Sequence, residues 1–501
     1  MIKRILNTPL KKGFAAVSAA TMISRVLGMV RDIFMAKYFG TSMVADAFYV
    51  AFRIPNLLRR LLGEGALPAA LIPAYSEMLV KKENERAQKL AGSIFSFLFV
   101  ICFLLTAAGI IFTPQIVRLI APGFAGDSEQ FALTVTLARI MFPILILVTM
   151  ATIAMGICNA RKYFFIPSVA PALFNVSAIV FFLFFARGIP GYDIRALAVF
   201  VVIGFLLHFA LMLPILFREK VASFRFFIKG VFSNPDVKRI IVRLIPVALG
   251  VSVMQLNIFV DTICATLMGA GVVSALYFAN RLYQLPLALF GVSISMVSLP
   301  FMSDARAENK TEQVTRNLFH SFAASLFLII PSTLGLVILA GETVSLLFER
   351  GLFSSGSTAM TSSALVFYSA GLAAFAGIRI FANYFYSKKD MRTPVKIAVV
   401  SFIVNMAGDI AALVFKLGPG GLAGATSLAA LVNCALLVYL VFKDGVRPPA
   451  SFYRQLSVIL GASAVMVAFL LAPVQMHTLI RMALAGGIYL LSTRAFTKVL
   501  P

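Results

Sequence analysis

The sequence is poor in the residues that soluble enzymes commonly use for catalysis, metal binding or covalent cross-links. It has no tryptophan, three isolated histidines and four cysteines in 501 residues. The cysteines lie singly within apolar stretches, at Cys102, Cys158, Cys264 and Cys434. This spacing supports neither a disulfide framework nor a zinc site. The chain also lacks an aspartate-rich or histidine-based motif that would indicate a metal-dependent or nucleophilic enzyme.

Charged residues are scarce as well, and hydrophobic residues are correspondingly abundant. Only 13% of the residues are charged, 60% are hydrophobic, and the mean hydropathy is +0.95. Ordinary globular proteins have about 25% charged and roughly 45–50% apolar residues. A bilayer-spanning helix needs about 20 apolar residues. The composition therefore excludes a single soluble core and predicts an all-α polytopic membrane protein.

The apolar segments predict about 14 transmembrane helices. They lie near residues 14–39, 43–63, 91–113, 131–158, 166–186, 196–217, 239–268, 272–302, 315–340, 358–386, 394–415, 421–442, 452–472 and 478–497.

The distribution of basic residues predicts the orientation of these helices. Alternate connections, counted from the N-terminal segment to the C-terminal one, hold 28 of the 44 Lys and Arg residues, and the other connections hold five. The positive-inside rule then places both termini in the cytoplasm and requires an even number of helices. The net charge of +24 thus reflects membrane topology, and no nucleic acid is expected as a partner.

Two pairs of segments match each other at a nearly constant spacing along the chain and reveal an internal repeat. The matches are AFYVAFRI (47–54) with ALYFANRL (275–282), and DIFMAKYFG (32–40) with DTICATLMG (261–269). Asp32 thus corresponds to Asp261, and Arg53 corresponds to Arg281. The repeat predicts a six-helix lobe at 1–235, a second at 236–445, and an additional helix pair at 446–501. Six is an even number, so the two lobes form a parallel repeat, which is typical of transporters with a substrate site between the halves.

Charged residues concentrate in the first two helices, although a charge inside a span costs at least about 2.5–3.5 kcal/mol. Arg25 and Asp32 share one helix face, and Arg60 and Glu64 form an i,i+4 pair. Guanidinium groups bind phosphate oxygens in a bidentate fork, so a cluster facing an aqueous cavity would suit an anionic substrate, particularly a diphosphate. The predicted substrate-binding residues are Arg25, Arg31, Asp32, Asp46, Arg53, Arg59, Arg60, Glu64 and Arg281. An alternative is that these arginines only pair with acids and helix-end carbonyls and hold the helices together.

A second polar group lies in the C-terminal half. Asp261 is deep in the seventh predicted helix, and Asn405 and Asp409 share a face of the eleventh. A buried carboxylate without a basic partner is protonated or binds a cation. We therefore predict a sodium or proton site formed by Asp261, Asn405, Asp409 and Thr426 as a coupling device, and no other cofactor. In the alternative interpretation Asp409 reaches the membrane surface and Asn405 bonds to a neighbouring helix.

Several motifs resemble the bacterial lipid II flippase (MurJ) family over nearly the whole chain. They are SRVLGMVRD (24–32), ADAFYVAFRIPNLLRRLLGEGA (45–66), APGF (121–124), YFANRLYQLP (277–286) and KKDMRTPVKIA (388–398). The resemblance implies the multidrug/oligosaccharidyl-lipid/polysaccharide exporter fold, with a final helix pair that lines a groove for a lipid tail. It places the family's cavity arginines on Arg25, Arg31, Arg59 and Arg281. Some relatives bear a sodium site, and its ligands would fall on the four residues proposed above. This sequence has Asn280 directly before Arg281, where some relatives carry an aspartate.

The resemblance also implies a substrate and a location. The substrate would be lipid II, the undecaprenyl-diphosphate-linked disaccharide pentapeptide, moved by alternating access from the cytoplasmic to the periplasmic leaflet of the bacterial inner membrane for peptidoglycan assembly. We expect a transporter rather than an enzyme, working as a monomer among membrane lipids, with association with cell-wall synthesis proteins left open. The alternatives are an ion-coupled exporter of another lipid-linked oligosaccharide or a drug, and an intramembrane enzyme that processes a polyprenyl carrier.

Overall fold

The computed structural model describes residues 9–62, 66–186, 193–218, 235–472 and 476–499. Within these ranges every regular element is a helix, as the composition predicted. Glu64 lies outside the described residues, and so does the side chain of Arg60.

The chain divides into two compact units, Met1–Gln255 and Leu256–Pro501. The helices of the first unit are α1 (Pro9–Phe39), α2 (Met43–Leu62), α3 (Ala66–Val80), α4 (Asn84–Ile111), α5 (Thr113–Ile120), α6 (Ser128–Met141), α7 (Ile144–Ala160), α8 (Phe165–Val169), α9 (Ala172–Val180), α10 (Ile194–Ala210) and α11 (Leu213–Arg218). The boundary between the units falls inside the next helix, α12 (Pro235–Leu267). The predicted division at 1–235, 236–445 and 446–501 stays a prediction.

The second unit continues with ten further helices in its described part. They are α13 (Val272–Pro286), α14 (Ser293–Ala307), α15 (Thr311–Ile338), α16 (Ala340–Phe348), α17 (Ser355–Ala370), α18 (Leu372–Ser387), α19 (Arg392–Val414), α20 (Gly418–Lys443), α21 (Ala450–Leu471) and α22 (Thr478–Val499).

Ten helical segments are long and apolar enough to cross a membrane in the part of the chain that is described. They coincide with ten of the predicted spans. The other four predicted spans fall on α1, α2, α8–α9 and α12, which are helical but more charged, interrupted or only partly described. Many large apolar side chains are exposed, including Phe184 and Leu491. This exposure fits helices that face lipid, and the count is compatible with about 14 spans.

Left-handed residues at helix ends support the internal repeat independently of the sequence matches. Lys82 and Asn309 have positive φ angles of 60° and 57°, and Lys162 and Lys389 have positive φ angles of 67° and 60°. The members of each pair are separated by the same length of chain, which is close to the spacing of the matching segments. Such residues commonly end helices because the left-handed conformation redirects the chain. The same turn therefore closes equivalent helices in both repeats.

Two polar contacts fix the starts of the helices that carry the C-terminal polar residues. Arg86 donates to both carboxylate oxygens of Asp236, in the first turn of α12, at 2.9 and 3.1 Å. Before α19, the Asp390 carboxylate accepts hydrogen bonds from the Thr393 hydroxyl at 2.6 Å and from two backbone N–H groups. These bonds, above all the one from the Thr393 hydroxyl, hold the pKa of Asp390 below its ordinary value. The start of α12 is therefore anchored by an ion pair and the start of α19 by a capping carboxylate.

Candidate functional site

The first unit buries an arginine, an aspartate and an asparagine together. Arg31 Nε and Nη2 donate to Asp32 Oδ1 at 3.0 and 2.6 Å, and Nη1 donates to Asn175 Oδ1 at 2.9 Å. Arg31 and Asp32 are only 5% and 1% exposed. The Arg31 guanidinium also lies 4.7 Å from the centre of the Phe174 ring. The charge of Asp32 is thus balanced inside the unit by the residue that precedes it.

A glycine allows the two helices of this cluster to approach. A Cβ atom at Gly28 of α1 would lie 3.7 Å from Asn175 Nδ2 of α9. Asn175 Nδ2 itself donates to the Ser24 carbonyl oxygen at 3.1 Å. Gly28 thus faces the neighbouring helix α9.

The other predicted residues of the first unit differ in exposure. Arg25 is exposed, and it has no acidic partner in the part of the chain that the structure describes. Arg53 and Arg59 are half-buried, and Arg59 Nε donates to Asn56 Oδ1 at 2.9 Å. Asp46 is completely buried. The guanidinium groups that are at least partly exposed are therefore the ones accessible to an anion.

Arg281 lies in the second unit, on α13. Its side chain is half-buried, its Nε donates to the Tyr277 hydroxyl at 3.2 Å, and its guanidinium carbon lies 5.3 Å from the centre of the Tyr277 ring. The tyrosine one turn earlier therefore orients this cation. That Arg281 acts together with the arginines of the first unit stays a prediction.

Three of the four residues predicted to bind a cation meet in the second unit. Asn405 Nδ2 donates to Asp261 Oδ1 at 2.7 Å and to Asp409 Oδ2 at 2.9 Å. Asp409 is fully buried, and Asn405 is 2% exposed. Thr426 is half-buried, and its hydroxyl donates to the Leu422 carbonyl oxygen at 3.1 Å instead. A single amide thus bridges two carboxylates that come from different helices.

The bridge leaves oxygen atoms without donors. Asp409 Oδ1 and Asn405 Oδ1 are buried, and neither accepts a hydrogen bond from the described residues. Buried polar atoms in folded proteins are nearly always satisfied, so each exception requires an explanation. Two carboxylates beside orphan oxygens form a donor set that suits a hard cation such as sodium, or a proton.

Asn175 is the residue that the sequence interpretation missed. It is an isolated asparagine in an apolar helix, and nothing near it in sequence indicates a role. The signal that could have identified it is the repeat, because the spacing from Asn175 to Asn405 is nearly the same as that from Asp32 to Asp261.

A helical chain with ten apolar spans in its described part and an internal repeat, with charged clusters buried in both of its units, has the architecture of a membrane transporter. The family model of the lipid II flippase MurJ matches residues 35–494, and the chain belongs to this family. It is therefore a transporter rather than an enzyme.

Individual relatives agree with this assignment. The lipid II flippase MurJ of Burkholderia cenocepacia is 34% identical over 92% of this chain and 89% of its own length. A solved structure of lipid II flippase MurJ in an inward closed conformation is similar with a TM-score of 0.81 and 27% identity, covering 97% of this chain and 99% of the other. An inward-facing multidrug resistance MATE family transporter of the MOP superfamily, at 13% identity, shares the fold with a TM-score of 0.67, over 86% of this chain and 97% of its own.

Proposed function

We propose that this protein flips lipid II from the cytoplasmic to the periplasmic leaflet of the bacterial inner membrane, for peptidoglycan assembly and thus cell shape. Both termini lie in the cytoplasm in this proposal, in agreement with the excess of basic residues in alternate connections. Family membership supports the substrate. The observation that carries the proposal is Arg25, an exposed cation inside a membrane helix without an acidic partner among the described residues.

The proposed binding mode follows from the chemistry of the two ends of lipid II. The candidate diphosphate ligands are Arg25, Arg59 and Arg281, and Arg53, Arg60, Asp46 and Glu64 are the other polar candidates. Guanidinium groups keep their charge when partly desolvated, which suits them to this task. The polyprenyl tail stays in lipid beside the helix pair at 446–501, because each CH₂ exposed to water costs about 0.8 kcal/mol. Alternating access then carries the head group across.

Return of the empty carrier is coupled to a cation in this proposal. Sodium or a proton binds at Asp261, Asn405 and Asp409, and Thr426 is the fourth candidate ligand. Support comes from the two buried oxygen atoms without donors and from the absence of a basic partner for Asp409 among the described residues. The membrane potential adds about 2.3 kcal/mol per elementary charge per 100 mV, and its negative interior favours outward movement of an anion.

A leaflet-resolved assay of lipid II in proteoliposomes tests the function. We expect Arg25→Ala to abolish flipping while the protein still inserts and folds, because Arg25 is exposed and bonds to no described residue. Lys37→Ala is the matched control, since Lys37 is another exposed cation on α1, near its end. Its variant should flip normally. Normal flipping by Arg25→Ala, or no flipping by the wild type, contradicts the proposal.

The coupling ion is tested in the same vesicles. Flipping should respond to an imposed sodium or proton gradient, and Asp409→Asn should lose that response. We further propose that the functional form is a monomer, which light scattering of the purified protein in detergent measures. Contact with cell-wall synthesis proteins belongs to the same proposal and would appear as specific cross-links in intact cells.

A further inference from the structure

Helix α12 carries a polar side chain that the cation site described above does not use. Asn257 lies four residues before Asp261, so the two side chains share one face of the helix. Its Oδ1 atom is buried and accepts no hydrogen bond from the described residues. An amide oxygen inside a membrane protein that lacks both water and a donor is costly. Asn257 therefore has an oxygen for which the described residues provide no donor.

The internal repeat indicates where the Asn257 side chain points. Asn257 corresponds to Gly28 at the same spacing that relates Asp261 to Asp32. In the first unit, a Cβ atom at Gly28 would lie 3.7 Å from the amide nitrogen of Asn175. Asn175 bonds to Arg31, and Asn405, at nearly the same spacing, bonds to Asp261. From this correspondence we expect a side chain at position 257 to face Asn405, the residue that bridges the two carboxylates.

We propose that Asn257 is a further oxygen ligand of the cation that binds at Asp261, Asn405 and Asp409. The proposal rests on the cation-coupled step proposed above and extends its ligand set. Three buried oxygens then lack donors, namely Oδ1 of Asn257, Asn405 and Asp409. A single proton on Asp409 could satisfy the oxygen of one neighbouring amide, whereas a metal ion is coordinated by several oxygens at once. The geometry therefore favours a monovalent metal cation such as sodium over a proton.

Equilibrium binding of radioactive sodium to the purified full-length protein tests this ligand. We expect Asn257→Ala to weaken sodium binding about tenfold, and Asn257→Asp, which keeps an oxygen at the same place, to restore it. Asn433→Ala is the matched control, because it removes another buried amide of the same unit. It should change the affinity less than twofold. Asp409→Asn, which removes a carboxylate, should abolish binding.

The outcomes separate this inference from the proposed function. If the wild type binds no sodium, the sodium-coupled step fails and the ligand assignment fails with it. If the wild type binds sodium and Asp409→Asn does not, but Asn257→Ala binds within twofold of the wild type, only the assignment of Asn257 is overturned. Circular dichroism of each variant identifies a folding defect. If Asn257→Ala does not fold, the sodium affinity of Asn257→Asp is compared with that of the wild type instead.

A separate observation concerns the last helix. Pro331 lies inside α15 and has no N–H group, so the carbonyl oxygen of Phe327 loses its usual helical donor. The Tyr489 hydroxyl of α22 donates to that oxygen at 2.6 Å. Tyr489 is 3% exposed, and its ring centre lies 5.4 Å from that of Phe327. The proline thus exposes an acceptor, and the last helix supplies its donor.

We infer that this hydrogen bond docks α22, the last helix of the C-terminal pair, against α15 within the second unit. Arg481, at the start of α22, adds a second contact, because its Nη1 donates to Glu342 Oε1 at 2.8 Å. Because the Phe327 carbonyl is free only on account of Pro331, the contribution of the Tyr489 hydroxyl depends on that proline. An alanine at position 331 would restore the helical donor.

A double-mutant cycle on the purified protein tests this dependence. We expect Tyr489→Phe to lower the midpoint of thermal unfolding in the wild-type background. In a Pro331→Ala background the same substitution should have at least a threefold smaller effect. A loss of equal size in the two backgrounds would show that the hydroxyl contributes independently of Pro331, and no loss in either would show that Tyr489 acts through ring packing alone. Either result overturns the inference.

Discussion

The two buried polar clusters occupy corresponding places in the two repeats, but they balance their charge differently. The corresponding residues are Gly28 with Asn257, Arg31 with Val260, Asp32 with Asp261, Asn175 with Asn405, and Ile179 with Asp409. In the first unit, one carboxylate is paired with one guanidinium group. In the second, two carboxylates share an amide. Three changes between the repeats thus remove a cation and add oxygens.

A buried carboxylate needs a nearby positive charge or a proton, because an isolated charge in a dry interior is costly. The first cluster carries its cation covalently, as Arg31, and is therefore the same in every ionic condition. The second has no arginine at that place, since Val260 corresponds to Arg31. If the proposed cation binds there, a duplicated fold keeps one unit constant and makes the other respond to ions.

The comparison also indicates different roles for the two arginines of α1, Arg25 and Arg31. Arg31 uses its Nε and both terminal nitrogens within the first unit, whereas Arg25 is exposed. Both were predicted to bind substrate. We now expect Arg25 to contact the diphosphate and Arg31 to stabilise the helix that carries Arg25.

Removal of Arg31 should give the largest effect. Arg31→Ala removes the guanidinium group that bonds to the buried Asp32 carboxylate, and breaking a buried ion pair typically costs about 3–5 kcal/mol. We expect that loss in the free energy of unfolding, measured by denaturant titration of the purified protein. Arg25→Ala, on the same helix, should change the free energy of unfolding by less than about 0.5 kcal/mol. Similar losses for the two variants would contradict the distinction between the two arginines.

A second variant introduces into the polar cluster of the second unit the arginine that the cluster of the first unit has at the corresponding position. Val260→Arg places a guanidinium group next to Asp261, as Arg31 is next to Asp32. Sodium at 100 times its dissociation constant should stabilise the wild type by about 2.7 kcal/mol. The variant should fold but show no sodium-dependent stabilisation, and Val260→Met should control for side-chain length. If Val260→Arg still gains stability with sodium, the two clusters are not equivalent.

Neutralising both members of the first pair should cost less than removing one. The double variant Arg31→Met with Asp32→Asn removes both charges of the pair, so we expect it to recover most of the stability lost in Arg31→Ala, to within about 1–2 kcal/mol of the wild type. Its rate of lipid II flipping is the decisive measurement. If flipping recovers, the role of the Arg31–Asp32 pair is to stabilise the fold. If the double variant folds but does not flip lipid II, the pair takes part in substrate binding.

These clusters show which features a sequence can predict. The spans were predictable because long apolar segments leave little choice in a bilayer. Asn405 and Asp409 were predictable as neighbours because residues four apart share a helix face. The Arg31–Asp32 pair was not, since adjacent residues on a helix do not normally face each other, and only the folded structure shows the long side chain turning back.

Tertiary contacts between distant segments escaped the sequence interpretation as well. Asn175 and Arg31 are far apart in the chain, and their contact depends on how α9 packs on α1. The pairing of Tyr489 with Phe327 depends on a carbonyl oxygen, which has no signature in the side-chain pattern. Thr426 stays a predicted ligand: its hydroxyl donates to the Leu422 carbonyl oxygen, and its oxygen lone pairs are still able to bind a cation.

The smallest expected effect is at Gly28, where the first unit has no cation to coordinate and needs no oxygen. Gly28→Ala adds a Cβ atom in ordinary contact with Asn175, at 3.7 Å, and removes a flexible residue from the helix. We expect stability to rise by about 0.5–1 kcal/mol, with the response to sodium unchanged. Gly204→Ala is the control, because its Cβ atom would lie 2.7 Å from the Phe174 Cα atom and should destabilise the unit. If Gly28→Ala instead altered sodium binding, the first unit would take part in the cation site. The contrast between a first cluster neutralised by Arg31 and a second cluster that binds a cation would then be wrong.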